Sequence, residues 1–224
     1  VPTMVDGREI FGIVVLSVQV SLTASLIGMA IGAPLGGLFC TLRERPRRVW
    51  LAIFSALLAV PTVVVGLVVY ILLSRSGPLG WLGILFTPTA IVIAQVIITL
   101  PVITVFSYRA CAGPWADYGE QVRLDIRARW RQIAELLKMA KAGLVTAFLV
   151  AFGRAISEVG AVMIVGGNIR GSTRVMTTAI TLETRQGNFN IAVALGIILV
   201  AISFGVTVLT WWVTRDRARP AGAG

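Results

Sequence analysis

Residues 10–39 read IFGIVVLSVQVSLTASLIGMAIGAPLGGLF, thirty positions without a charged side chain. A helix needs about 20 mainly apolar residues to cross the hydrocarbon core of a bilayer. This stretch is long enough to cross with tilt, or to begin as an interfacial turn. No positively charged leader with a small-residue cleavage point precedes it, so it is taken as a span and not as a removed leader. Four more stretches qualify, at 49–73, 84–108, 143–165 and 191–213, and of these only 143–165 carries charge, Arg154 and Glu158. Across all 224 residues, 57% are hydrophobic and 13% charged. Soluble domains run at roughly 45–50% and about 25%, so disorder and an ordinary soluble enzyme are both disfavoured. The sequence predicts one all-α, polytopic transmembrane domain over 1–224, with five transmembrane helices.

Charge sets the expected sidedness. Five spans place the two termini on opposite faces. Arg43, Arg45, Arg47 and Arg48 lie between the first two spans. Arg109, Arg123, Arg127, Arg129, Arg131, Lys138 and Lys141 lie between the third and fourth, and Arg215, Arg217 and Arg219 form the tail. The opposite face carries only Arg8, Arg75, Arg170, Arg174 and Arg185. The positive-inside rule puts the richer face in the cytoplasm, with the amino terminus outside and the carboxyl terminus inside. The net charge of +10 is then mostly topogenic, and no nucleic-acid partner is expected.

Small residues recur at helical spacing, Gly28/Gly32/Gly36 in the first span, Ala147/Ala151/Ala155 in the fourth and Ala192/Gly196 in the fifth. Such stripes let helix backbones approach closely in lipid. Gln95, in the middle of a span, should point inward. Pro34, Pro61, Pro88 and Pro101 mark kinks or ends.

Catalytic and metal chemistry find no footing. Histidine is absent, and Cys40 and Cys111 make neither a disulfide framework nor a metal site. The only lysines, Lys138 and Lys141, do not follow a Gly-x-x-x-x-Gly run, so there is no phosphate-cradling loop. No cofactor is expected in this chain.

The cytoplasmic segment 115–141 has helical periodicity. Ile126, Trp130, Ile133, Leu137 and Ala140 recur at steps of three and four. Gly113-Pro114 marks its start, and two short helices joined near Asp125 fit the pattern. The segment reads either as an amphipathic helix on the inner leaflet or as a docking element with Trp130 as its apolar anchor. Two charged clusters lie elsewhere. Arg154 and Glu158, four apart, share a helical face, either as a bracing ion pair or as pathway or gate residues. After the fourth span, a short external helix running to Arg185, capped by Ser172 or Thr173 and ended at Gly187, should tuck its apolar face into the bundle. Its start, near Asn168, Arg170 and Arg174, has the charge to favour an anion, unless these are only solvated surface arginines.

Several motifs resemble the permease subunits of ABC importers, in particular those of the tungstate type. They are Pro61-Thr-Val-Val-Val-Gly66, Leu73-Ser-Arg-Ser-Gly-Pro-Leu-Gly80, Phe86-Thr-Pro-Thr89, Gly153-Arg-Ala-Ile-Ser-Glu-Val-Gly-Ala161, Val165-Gly-Gly-Asn168 and Leu182-Glu-Thr-Arg-Gln-Gly-Asn-Phe189. Permeases of this kind carry a coupling helix, usually Glu-Ala-Ala with Gly six residues after the Glu and Pro further on. Here Glu120-Gln-Val122 takes its place, Ile126 stands at the Gly position and Met139 lies near the Pro. The resemblance implies a coupling segment over 115–141 that docks through Glu120, Ile126, Trp130 and Ile133. It implies a homodimer in a prokaryotic inner membrane, two cytoplasmic ATPase subunits that bind ATP and Mg, and an external substrate-binding protein. The implied function is ATP-driven import of an oxyanion by alternating access, most of all tungstate. Alternatives are molybdate, sulfate or another oxyanion in the same architecture, an ATP-independent channel or secondary transporter, and a plain membrane anchor. The polar residues inside the spans speak against the last.

Overall fold

Glycine decides how the first helix packs. The computed structural model describes residues 7–215, and α1 (Gly7–Thr41) lies along α4 (Pro88–Asp125) for most of its length. A Cβ on Gly28 or Gly32 would sit 2.8 Å from Ile103. On Gly36 it would sit 2.7 Å from the Thr104 carbonyl and the Tyr108 amide. The contacts advance in the same sense on both helices, so the two run parallel, backbone nearly on backbone. Ala147, Ala151 and Ala155 of α6 (Lys141–Ile156) are likewise buried, with α6 packed against both α1 and α4. The third stripe behaves differently. Ala192 is buried, but nothing approaches within 4 Å of a Cβ on Gly196, which lies on an open apolar face of α9 (Phe189–Arg215).

The remaining elements are α2 (Glu44–Leu57), α3 (Thr62–Leu73), a 3-10 turn at Gly80–Leu82, α5 (Arg129–Met139), α7 (Gly160–Gly166) and α8 (Met176–Arg185). Among the described residues every regular element is helical. Three helices, α1, α4 and α9, are each long and apolar enough to cross a membrane. The count reaches five if two bent pairs, α2 with α3 and α5 with α6, each make one crossing.

The second expected span, 49–73, is therefore not a straight rod. α2 and α3 meet at 92° around Pro61. Proline lacks an amide hydrogen and pushes the residue before it out of helical geometry. The fourth, 143–165, is also interrupted. α6 stops at Ile156, and α7 starts at Gly160. In an apolar medium the backbone groups freed by such a break need partners. The Ala155 carbonyl accepts from Gln95 Nε2 at 2.9 Å. The Glu158 carbonyl accepts from the Thr177 hydroxyl at 2.8 Å. The Ala161 amide donates to Glu158 Oε1 at 3.2 Å. Gln95 thus points inward as expected, 2% exposed, because the break gives its amide something to bond.

Two further expectations shift. α4 runs unbroken through Gly113 and Pro114 to Asp125, so the first of the two short helices is simply the end of α4. α8 starts later than expected, capped at Val175 with the Thr178 hydroxyl accepting from the Val175 amide, not at Ser172 or Thr173. Thr173 is instead wholly buried, accepting from the Ile169 amide and donating to the Gly166 carbonyl. The apolar side of α8 does tuck into the bundle, with Met176 and Ala179 packed among Ile13, Phe152, Ile156 and Leu195. Gly187 closes α8 at a φ of 79°, a left-handed conformation that suits glycine. Of the basic tail, Arg217 and Arg219 lie outside the described residues.

Candidate functional site

α5 lies across one end of the bundle, bent by 81° from α6. Its amphipathic pattern explains the seat. Leu136 and Ala140 are fully buried against Cys40 and Cys111, and Ile133 and Leu137 lie over Gly37 of α1. The joint between α4 and α5 is held by Gln132 Nε2, which donates to the Ile126 carbonyl at 2.6 Å. The four expected docking residues therefore divide. Ile126 and Ile133 are half-buried and belong to the seat, whereas Glu120 and Trp130 face outward. Trp130 is 67% exposed, with the Arg131 guanidinium 5.1 Å above its ring. Leu124, on the last turn of α4, is also exposed, at 79%, with Arg123 over the Trp115 ring. The sequence reading did not single out Leu124. Its signal was an apolar residue immediately before the Asp125 joint, in a segment otherwise rich in arginine. Trp130 and Leu124 are each large apolar groups left exposed in an arginine-rich segment, the kind of residue that anchors an interface.

Arg154 and Glu158 do not form the expected pair. Arg154 is on α6 and Glu158 lies within the α6–α7 break, with no ion pair between them. Glu158 is 8% exposed and caps α7 through the Ala161 amide. Arg154 is exposed on α6. Its neighbours at i−4 and i+3, Val150 and Ser157, share its face. Both line a groove of about 530 Å³ between α6 and α9, with Gly153, Ser203, Thr207, Thr210 and Trp211. The groove is unusual for α9, whose outer face is Val193, Ile197, Val200 and Phe204. The Ser157 and Thr207 hydroxyls donate to carbonyls one turn back on their own helices, as Thr210 does to Val206. An arginine so deep in an apolar segment belongs in water or beside a partner and not in lipid.

The third cluster gathers where α1 begins. Glu9 takes Arg170 in a two-point pair, with Nε at 2.7 Å from Oε1, and reaches Arg174 Nη1 at 3.5 Å. That hydrogen bond to Glu9 raises the pKa of Arg170 above its ordinary value. Asn168, at a φ of 52°, donates from Nδ2 to the Thr178 carbonyl at 3.4 Å. The first amide of α8, on Met176, donates to Ser17 Oγ at 2.8 Å. At the cationic start of α8, expected to favour an anion, part of the charge and the first amide are thus taken up within the chain. Glu9 offsets one of the two arginine charges, and Ser17 takes the amide. Nothing in the local sequence flags Glu9, which lies 161 positions from Arg170.

Among the described residues no three His, Cys, Asp or Glu side chains group as metal ligands. The sequence signature of the family described as "Binding-protein-dependent transport system inner membrane component" matches residues 13–219. The "Tungstate uptake system permease protein TupB" of Peptoclostridium acidaminophilum is 40% identical over 204 residues, covering 91% of this chain and 89% of that protein. The "Probable anion ABC transporter permease protein" of Haloferax volcanii is 41% identical over 203 residues, 88% and 87% of the two chains. The "Putative molybdenum transport system permease protein YvgM" of Bacillus subtilis is 26% identical over 215 residues, 91% and 93% of the two chains.

Proposed function

The chain belongs to the family of binding-protein-dependent transport system inner membrane components, and we propose that within it this protein is the membrane-spanning subunit of an ATP-driven importer for tungstate. The observation that carries the substrate is 40% identity to a tungstate uptake permease over 91% of the chain. Molybdate is the second reading, favoured by the weaker likeness to a molybdenum permease.

In this reading two copies pair, and the path lies between them. Two ATPase subunits hold ATP and Mg and hydrolyse the nucleotide, and an external protein delivers the anion. The amino terminus is outside and α5 faces the cytoplasm. Trp130 and Leu124 supply the anchor for an ATPase, with Glu120 on the rim. α5 suits the task because its inner face is seated on α1 and α4, so a push on its outer face reaches both long helices. That is a mechanical link between contiguous packed elements. Arg154 supplies the positive charge that a dianion needs in a low-dielectric path, and its lack of an ion pair supports that role. Ser157 and Thr207 are free to turn from their own carbonyls toward an oxyanion. Glu158 holds the α6–α7 break and keeps its charge off the path. Asn168, Arg170 and Arg174, tied by Glu9 and Thr178, fasten the external loop to α1 and do not bind the anion.

The test is uptake into vesicles carrying the permease, its ATPase subunits and the binding protein, with tungstate, molybdate and sulfate in competition. Tungstate uptake that requires ATP and resists sulfate is expected. Preferred molybdate uptake would select the second reading, and uptake without ATP would overturn the importer.

A further inference from the structure

Cys40 and Cys111 have no part in the transport scheme above, yet their placement is specific. Both are free thiols, and both are buried, at 1% and 0% exposure. They come from α1 and α4, four residues beyond Gly36 and Ser107, whose Cβ contact at 2.7 Å marks the tightest approach of those helices. On parallel helices, four residues further along each returns to the same facing stripe. The two side chains accordingly pack in one buried cluster, and Cys40 Sγ donates to the Tyr108 carbonyl at 3.6 Å. Leu136 and Ala140 of α5 complete this cluster, with Trp115, Leu137 and Leu144 around it. One buried cysteine packs as a small apolar residue. Two in one buried cluster across a helix interface, under a separate helix, are a preassembled dithiol.

We propose that Cys40 and Cys111 form an oxidative modification site that a peroxide closes to an intrachain disulfide, with α5 as its cover. In the first step the sulfur of one cysteine, its proton released, attacks a peroxide oxygen. The O–O bond breaks, the sulfur becomes a sulfenic acid, and the departing hydroxide leaves with that proton as water. In the second step the other sulfur attacks the sulfenic sulfur. The S–S bond forms, the S–O bond breaks, and the hydroxyl leaves with the second thiol's proton as water. Two thiols lose two electrons and hydrogen peroxide is reduced to two waters. The second thiol in the same buried cluster favours this closure over further oxidation of the sulfenic acid. Peroxide reaches the thiols only when Leu136 and Ala140 lift, so the oxidation rate reads how firmly α5 is seated. The closed bond ties α1 to α4 directly beneath α5, which restrains the floor through which the seat moves both helices.

The experiment uses the full chain assembled with its ATPase subunits in membrane vesicles and treated with hydrogen peroxide. Denaturation, alkylation and intact-mass measurement then count the thiols. Expected are two alkylated thiols before treatment, and afterwards none, with loss of two hydrogen masses that dithiothreitol reverses. Cys40→Ser and Cys111→Ser should each form no crosslink. Leu136→Ala, which loosens the cover, should speed closure. ATP-dependent tungstate uptake should fall with closure and return with dithiothreitol, while Cys40→Ser uptake stays insensitive. Two free thiols in wild type after peroxide that fully oxidises glutathione in the same vesicles would overturn the proposal, as would a disulfide linking two chains. A closed bond with unchanged uptake would overturn its effect on transport. The transport readout rests on the importer reading, but the mass measurement does not. Absent uptake in untreated wild type would therefore sink that reading and leave the thiol chemistry standing.

Discussion

Gly36→Ala tests the α1–α4 crossing most directly. A Cβ at Gly36 lies 2.7 Å from Ser107 Cβ, the Thr104 carbonyl oxygen and the Tyr108 amide nitrogen. Two of those atoms are helix backbone and cannot rotate away. To restore ordinary contact α4 must withdraw by about 0.7 Å, and a gap of that size forfeits about a quarter to a half of the attraction between facing atoms. The loss spreads to Gly32 and Gly28, whose contacts with Ile103, Thr104 and Thr99 lie one and two turns away. Over-packing of this kind costs about 1–3 kcal/mol. Alanine recovers about 1 kcal/mol over glycine as a helix former. Because backbone blocks the new methyl, the clash wins, and a net loss of up to about 2 kcal/mol is expected. Gly12 is the control on the same helix. Nothing lies within 4 Å of its Cβ, so Gly12→Ala should keep only the propensity gain. The assay is unfolding of the purified chain in nanodiscs of one lipid composition, with both variants against wild type. Shifts of opposite sign are expected. A Gly36→Ala protein as stable as Gly12→Ala would refute the close crossing.

Trp130→Ala should weaken copurification with the ATPase subunits and uncouple hydrolysis from uptake without altering the melting of the chain, since a central aromatic anchor contributes about 2 kcal/mol or more. Unchanged copurification and coupling would return α5 to a membrane-surface role. Gln95→Leu removes the donor to the Ala155 carbonyl and should cost about 1 kcal/mol in thermal unfolding, and Gln95→Ala should cost more because it also leaves a cavity at this buried site. A neutral Gln95→Leu melt would mean that the break is satisfied otherwise. Glu158→Gln keeps an oxygen for the Ala161 amide and should assemble normally, whereas Glu158→Ala should lose about 1 kcal/mol of capping. Equal stability of the two would remove the capping role. Glu9→Gln leaves Arg170 and Arg174 without their counter-charge and should speed protease cleavage between α7 and α8. An unchanged cleavage rate would show that the pair does not fasten that loop.

The first, third and fifth spans, the glycine stripe and the inward Gln95 were legible in the sequence because each follows from a sum over neighbouring residues. Transfer into hydrocarbon adds along the chain, and helical spacing alone decides which small residues share a face. The seat of α5 was half legible on the same ground. Its periodicity marks an apolar face, but not that Ile133 turns toward the bundle while Trp130 turns outward. Tertiary structure decided the rest. The spacing of Arg154 and Glu158 implies a pair only on an unbroken helix. That helix breaks, and its freed groups are met by Gln95 from α4 and Thr177 from α8. Likewise Arg170 and Arg174 look like an open anion site until the fold brings Glu9 to them from the far end of the chain. Ion pairs and hydrogen bonds act over a few ångströms in space, whatever the separation in sequence. Which charge is neutralised, and which is left for a substrate, is therefore set by the packing of α1, α4, α6 and α8.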